Sequence, residues 1–185
     1  MKVDANEFSV VLIVDEVTTE KIQGIRRELP PSPVREDPPH VTLLRGISSS
    51  DYKTDDYLLE AIAPRLEPFL RTKPSAVLGI LHTIGSQLYG DTSAFEVAMP
   101  EVISQYRQGL IDYLISSDFM VEQRELESYR PHLTVTLGVA FPEDKDFSSI
   151  LKTGETIEFV SFALLRTQRR QADGPRLVRV VRPSV

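Results

Sequence analysis

The chain holds three histidines, His40, His82 and His132, and two of them sit in the same short phrase. Pro39-His40-Val41-Thr42-Leu43 is echoed by Pro131-His132-Leu133-Thr134-Val135. At this chain's own proline and threonine frequencies, two such coincidences would arise by chance in fewer than about one sequence in ten thousand. Histidine is the side chain that changes charge near neutral pH, so a matched pair suggests an acid and a base serving one reaction.

Each phrase has the character of a short buried strand, with a proline at its mouth followed by β-branched and aliphatic residues. Alternation along a strand sends His40 and Thr42 to one face and Val41 and Leu43 to the other. His132, Thr134 and Thr136 share a face in the second copy, opposite Leu133, Val135 and Leu137. An imidazole and a hydroxyl two residues apart project side by side, about 7 Å apart along the strand. A phosphate fits across that gap: threonine donates to a non-bridging oxygen while imidazole moves a proton to or from a bridging one. A lone His-x-Thr is ordinarily structural, because both side chains can satisfy each other or the backbone. Duplication weighs the other way, since two polar faces on core strands are costly without a purpose.

The elements that must carry these strands follow in order. Phe8 to Val14 reads as a strand. Thr18 or Thr19 is expected to cap a helix with Ile22, Ile25 and Leu29 inward, ended by Pro30, Pro31 and Pro33. The first motif strand is expected from His40 to Arg45, closed by Gly46. A helix from about Thr54 to Leu70 turns Leu58, Ile62, Leu66 and Phe69 inward, with Pro64 implying a kink or two shorter helices. Ser75 to Ile84 reads as a strand, as does Ala94 to Met99. Pro100 opens a helix with Val102, Ile103, Tyr106, Leu110 and Leu114 on its apolar side. The second motif strand is expected from His132 to Val139, then a short helix from Pro142 and Glu143 with Phe147, Ile150 and Leu151 inward. A strand at Ile157 to Leu165 returns through Ala172-Asp173-Gly174-Pro175 into Arg176 to Val181.

Each half thus reads strand, helix, His-x-Thr strand, helix, strand, and the two histidines lie 132 − 40 = 92 positions apart, close to half of 185 residues. The expected fold is α+β: one bilobal domain over 1–185, with halves 1–90 and 91–185 related by a pseudo-twofold axis. Each lobe would be an antiparallel-rich sheet with helices on its outer face, and the motifs would line a cleft between lobes.

Composition sets bounds. No cysteine is present, which excludes disulfides, thiolate nucleophiles and Cys-ligated metals and is compatible with a reducing cytoplasm. No signal peptide or membrane span is read, so a cytoplasmic location is expected. A net charge of −6 argues against an extended nucleic-acid surface. Arg166, Arg169, Arg170, Arg176, Arg179 and Arg182 gather against the single Asp173, either as a charge-protected hairpin or as a cradle for a polyanion.

The two motifs, His40-Val41-Thr42-Leu43 and His132-Leu133-Thr134-Val135, together with the lead-in Tyr129-Arg130-Pro131, resemble the two-histidine (2H) phosphoesterase superfamily. The likeness is to its 2′-5′ RNA ligase-like, or RNA 2′,3′-cyclic phosphodiesterase, branch. It implies metal-independent hydrolysis of a cyclic or 2′-5′ phosphodiester, with no cofactor and a small nucleotide or RNA terminus as substrate. By that resemblance His40 and His132 are the acid–base pair and Thr42 and Thr134 hold phosphate oxygens. Which histidine is acid and which is base stays open. Arg45, Tyr129 and Arg130 flank the motifs and are candidates to stack a base and hold a second phosphate; Tyr89 has less claim.

Two rivals remain. A metal site from His40, His82 and His132 lacks any ligand-type spacing at His82, which reads as a capped or packed residue. A non-catalytic module binding nucleotides or RNA ends through the same cleft would need only the hydroxyls and arginines.

Overall fold

A computed structural model describes residues 7–32, 34–49, 55–86, 90–122, 129–142, 144–167 and 177–181. The order is β1 (Glu7–Val14), α1 (Glu16–Glu28), β2 (His40–Ser49), α2 (Asp55–Arg71), β3 (Ser75–Ser86), β4 (Gly90–Ala98), α3 (Glu101–Ser116), β5 (Phe119–Met120), β6 (His132–Leu137), β7 (Thr156–Thr167) and β8 (Leu177–Val181).

Helix α1 starts earlier than the threonines suggest. Asp15 is its N-cap, accepting 2.8 Å hydrogen bonds from both the Thr18 N–H and the Thr18 hydroxyl. One carboxylate meets two donors there, which a threonine cap cannot do. Ile22, Ile25 and Leu29 are buried as their spacing demands. Helix α2 is a single element that runs through both Pro64 and Pro68. Leu58, Ile62, Leu66 and Phe69 all face the core. In α3, Ile103, Leu110 and Leu114 are buried, whereas Val102 is 59% exposed. Tyr106 lies half-buried with its ring stacked 4.2 Å from that of Phe69, which docks α3 on α2.

Among the described residues the strands form one eight-stranded sheet in the order β1-β2-β6-β4-β3-β7-β8, with β5 added beside β2. Strand β1 also pairs with β7, so the path β1-β2-β6-β4-β3-β7 closes on itself. All of these pairings are antiparallel. Two separate sheets were expected; the two halves instead share a ladder, because β2 hydrogen-bonds β6 directly. The main core packs α1, α2 and α3 against one face of the strands, where Val10, Leu12, Val41, Phe95, Leu133 and Val135 point. Val11, Ile13, Ala163 and Leu165 form a second, smaller cluster on the opposite face.

Other boundaries also differ from the sequence reading, among them the start of β4 at Gly90 rather than Ala94. Strand β2 does not stop at Gly46 but passes through it at φ +64°, and a Cβ there would sit 2.4 Å from the Glu122 side chain. Only glycine accepts both that conformation and that approach. Strand β6 ends at Leu137, where Gly138 turns left-handed at φ +71°. In place of the short helix expected after Pro142 there are hydrogen-bonded turns: Lys145 donates to the Pro142 carbonyl, and Ile150 and Leu151 donate to the Phe147 carbonyl. Phe147 and Leu151 are nonetheless buried, so the apolar residues found the core without a helix to present them. Glu143, Tyr89 and Arg169, Arg170, Arg176 and Arg182 lie outside the described residues. The return strand of the basic hairpin is present as β8, paired with β7. Among the described residues no helix is long and apolar enough to cross a membrane.

Candidate functional site

The two motif strands meet at one residue pair, Val41 opposite Leu133. Both side chains are fully buried on the helix side. One residue to either side, antiparallel geometry sets His40 against Thr134 and Thr42 against His132, all four on the other face. These four are half-buried, between the closed core and open solvent. His40 and His132 are diagonal neighbours in this arrangement, a relation that spans about 7–8 Å. That is room for one tetrahedral anion between two imidazoles. The sequence motifs are therefore brought together as neighbouring strands.

Both rings are held the same way. His40 Nδ1 lies 2.7 Å from the Pro38 carbonyl, and His132 Nδ1 lies 3.0 Å from the Arg130 carbonyl. A carbonyl only accepts, so each Nδ1 must carry its hydrogen, and Nε2 is the nitrogen that can take or give a proton on the open face. The same local contact occurs at His82, to the Ile80 carbonyl, but at a weaker 3.4 Å.

The strands themselves are braced by two buried arginines that the sequence reading overlooked. Arg26 of α1, only 2% exposed, donates from Nε to the Val135 carbonyl, from Nη2 to the Thr134 carbonyl and from Nη1 to the Asp37 carbonyl, at 3.0, 3.1 and 2.6 Å. Arg107 of α3, 6% exposed, donates from Nε to the Leu43 carbonyl at 2.9 Å. Val135 and Leu43 each stand three residues after their histidine, so the same motif carbonyl is gripped in both strands. The grip is crossed, since the helix of the first half holds the strand of the second and the reverse. Burial pushes the Arg26 guanidinium down to about 10, partly opposed by the negative charges of Asp37 and Glu36. That is still far above neutral, so it remains a cation. A signal for both was present: Arg26 follows Ile22 by four residues and Arg107 follows Ile103 by four, which puts a charge on each helix's apolar stripe.

Tyr129 serves the same frame. Its hydroxyl donates to the Thr42 carbonyl at 2.9 Å, and the Arg107 guanidinium lies 4.1 Å from its ring centroid. One ring face is thus covered by protein. Arg130 is exposed beside His132, with its carbonyl committed to that ring. Arg45 is exposed just past Leu43 and Leu44, both buried at a bulge that returns it to the face of Thr42.

His82 lies apart from the motif histidines, with Nδ1 3.8 Å from Glu96 Oε1. No group of three or more histidine, aspartate or glutamate side chains that could hold a metal occurs among the described residues.

No protein-family model matches the chain, and no curated protein matches it in sequence. Solved structures do. A structure described as a phosphoesterase superposes with a TM-score of 0.56 at 15% identity, covering 98% of this chain and 100% of that one. E. coli LigT complexed with NADP+ gives 0.54 at 14% identity over 97% of this chain and 98% of that one. The protein TT0787 of Thermus thermophilus gives 0.59 at 14% identity over 96% and 97%. The likeness spans nearly the whole chain, and the fold is that of these structures.

Proposed function

We propose that the protein is a phosphodiesterase that opens a 2′,3′-cyclic or hydrolyses a 2′-5′ phosphodiester, at an RNA end or a nucleotide, with His40 and His132 as its acid–base pair. The observation that carries this is the Val41–Leu133 rung, which sets two Nδ1-anchored imidazoles and two threonine hydroxyls around one space. Phosphate chemistry on this fold is supported by the similarity to a phosphoesterase and to LigT, whose structures include complexes with 3′-AMP and with phosphate.

The step balances without a metal. Neutral imidazole Nε2 accepts a proton from water, whose oxygen attacks phosphorus. The bond from phosphorus to one ribose oxygen breaks, and the second, protonated imidazole gives its Nε2 hydrogen to that oxygen. A phosphomonoester and a free ribose hydroxyl result, and the two histidines have exchanged protonation states. Thr42 and Thr134 donate to the non-bridging oxygens as charge builds there.

The test is a panel of nucleoside 2′,3′-cyclic monophosphates, 2′-5′ dinucleotides and RNA with cyclic ends, assayed in excess chelator. Turnover is expected on at least one class, with a bell-shaped dependence on pH, because one imidazole must be neutral and the other charged. A profile flat from pH 5 to 8, or nucleotide binding with no turnover, overturns the assignment.

A further inference from the structure

The two motif strands have unlike outer neighbours on the face they share. On β1, Ile13 pairs with His40 and Val11 with Thr42. On β4, Glu96 pairs with His132 and Ala94 with Thr134, and Ala94 pairs in turn with His82 on β3. Residues directly opposite on antiparallel strands point to one side. The motif face therefore continues past His132 and Thr134 onto Glu96, Ala94 and His82. Where the first histidine has isoleucine at its flank, the second has a carboxylate.

The two flanks also differ in access at the Glu96 and His82 positions, although Ala94 between them is as buried as Val11. Val11 and Ile13 are sealed with Ala163 and Leu165 in the small cluster, at 0% and 8% exposure. The Glu96 and His82 side chains are 59% and 33% exposed. Glu96 Oε1 stands 3.8 Å from His82 Nδ1, too far for a direct hydrogen bond, so the pair is oriented yet open to a third group. Gly79 makes room for it: a Cβ there would lie 2.8 Å from the Cβ of Glu96. Ala94 keeps the row between Thr134 and His82 low.

We propose that Glu96 and His82 form the subsite that receives the part of the substrate beyond the reacting phosphate. The carboxylate accepts hydrogen bonds from a ribose hydroxyl or a base amino group and repels any further phosphate. This rests on the phosphodiesterase reading above. The apolar, sealed β1 flank offers a nucleoside neither partners nor space, so the substrate extends over β4 and β3. An ionised carboxylate is acceptor-only and rewards donors. A second dianion beside it meets like charge.

The test compares wild type, E96Q and H82A on adenosine and uridine 2′,3′-cyclic monophosphates, each with and without a 5′-phosphate. For E96Q, kcat/KM on the unphosphorylated substrates should fall about tenfold, mainly through KM, and acceptance of the 5′-phosphorylated forms relative to them should rise at least about fivefold. H82A should lower kcat/KM on the unphosphorylated substrates by a smaller factor in the same direction. A loss confined to adenosine assigns the base amino group, and an equal loss on uridine assigns the ribose hydroxyl. If E96Q leaves both the absolute values and the phosphate ratio within twofold of wild type, the subsite is refuted. A parallel calorimetric titration with 3′-AMP and adenosine 3′,5′-bisphosphate separates the two proposals. If wild type binds these but turns nothing over, the phosphodiesterase reading fails, and the E96Q shift in their affinity ratio decides the subsite alone.

Discussion

Strand β2 and strand β6 carry the same residues in the same order and are held by the same means. Each histidine anchors Nδ1 on the carbonyl two residues upstream, and each strand rests its third carbonyl after the histidine on a buried arginine. They part company in what surrounds them. The carbonyl of Thr134 is taken by Arg26, whereas that of Thr42 is taken by the Tyr129 hydroxyl. His40 is flanked by Ile13 and His132 by Glu96. Under the proposals above, symmetry is kept where geometry would matter to proton transfer and relaxed where the rest of a substrate would be told apart. A reaction at phosphorus is served by equal partners; recognition of an asymmetric nucleotide is not.

Replacing the histidines one at a time probes the shared part first. H40A and H132A should each lower turnover by about a hundred- to ten-thousand-fold, since general acid and base contribute on that scale. The double variant should be little worse than either single one, because the two act as a unit. Steady-state kinetics on the best substrate of the panel checks this. Single variants that differ from one another by more than about a hundredfold would break the equivalence of the two strands.

The arginines come next. R26M and R107M should each destabilise by about 1–3 kcal/mol for every carbonyl left without a donor. Arg26 serves three carbonyls, and Arg107 serves the Leu43 carbonyl and lies over the Tyr129 ring. Urea titration of both variants checks this, and a variant as stable as wild type would contradict it.

The smallest effect concerns the helices that supply those arginines. Helix α1 has a side-chain cap at Asp15, but α3 begins at Pro100 with none. Burial alone would push the Asp15 carboxyl up, yet hydrogen bonds from Thr18 and Glu158 outweigh it and hold the group below the ordinary 3.8. Its stabilisation is therefore present above 3.8 and disappears as pH falls through the lower folded-state value. D15A should cost about 1 kcal/mol at pH 7. The difference from wild type should shrink below pH 3, as read from urea midpoints at both pH values.

Much of this was legible in the chain itself. The motif strands and the inward faces of α1 and α2 followed from periods of two and of three to four residues, whereas the facing of His40 and His132 was read from one phrase repeated 92 positions on. What escaped notice depended on distant partners. Strand β1 pairs with β7 through contacts such as Val11 with Ala163, and no local pattern specifies that register. The turn at Phe147 to Leu151 looked helical because apolar spacing over so few residues does not separate a helix from one hydrogen-bonded turn. Glu96 reads as an ordinary exposed strand residue until the ladder places it against His132. Arg26 and Arg107 were visible as charges on apolar stripes, but their targets lie 109 and 64 residues away.

Those separations bear on when the reactive surface comes into being. Closures of that length cost more chain entropy than local contacts do. Neither half can finish its own histidine strand, because the arginine that steadies it is supplied by the other. Under the phosphodiesterase proposal, a nascent chain would carry no premature phosphate-cleaving activity, because competence would wait until the second motif has been made and both helices have docked.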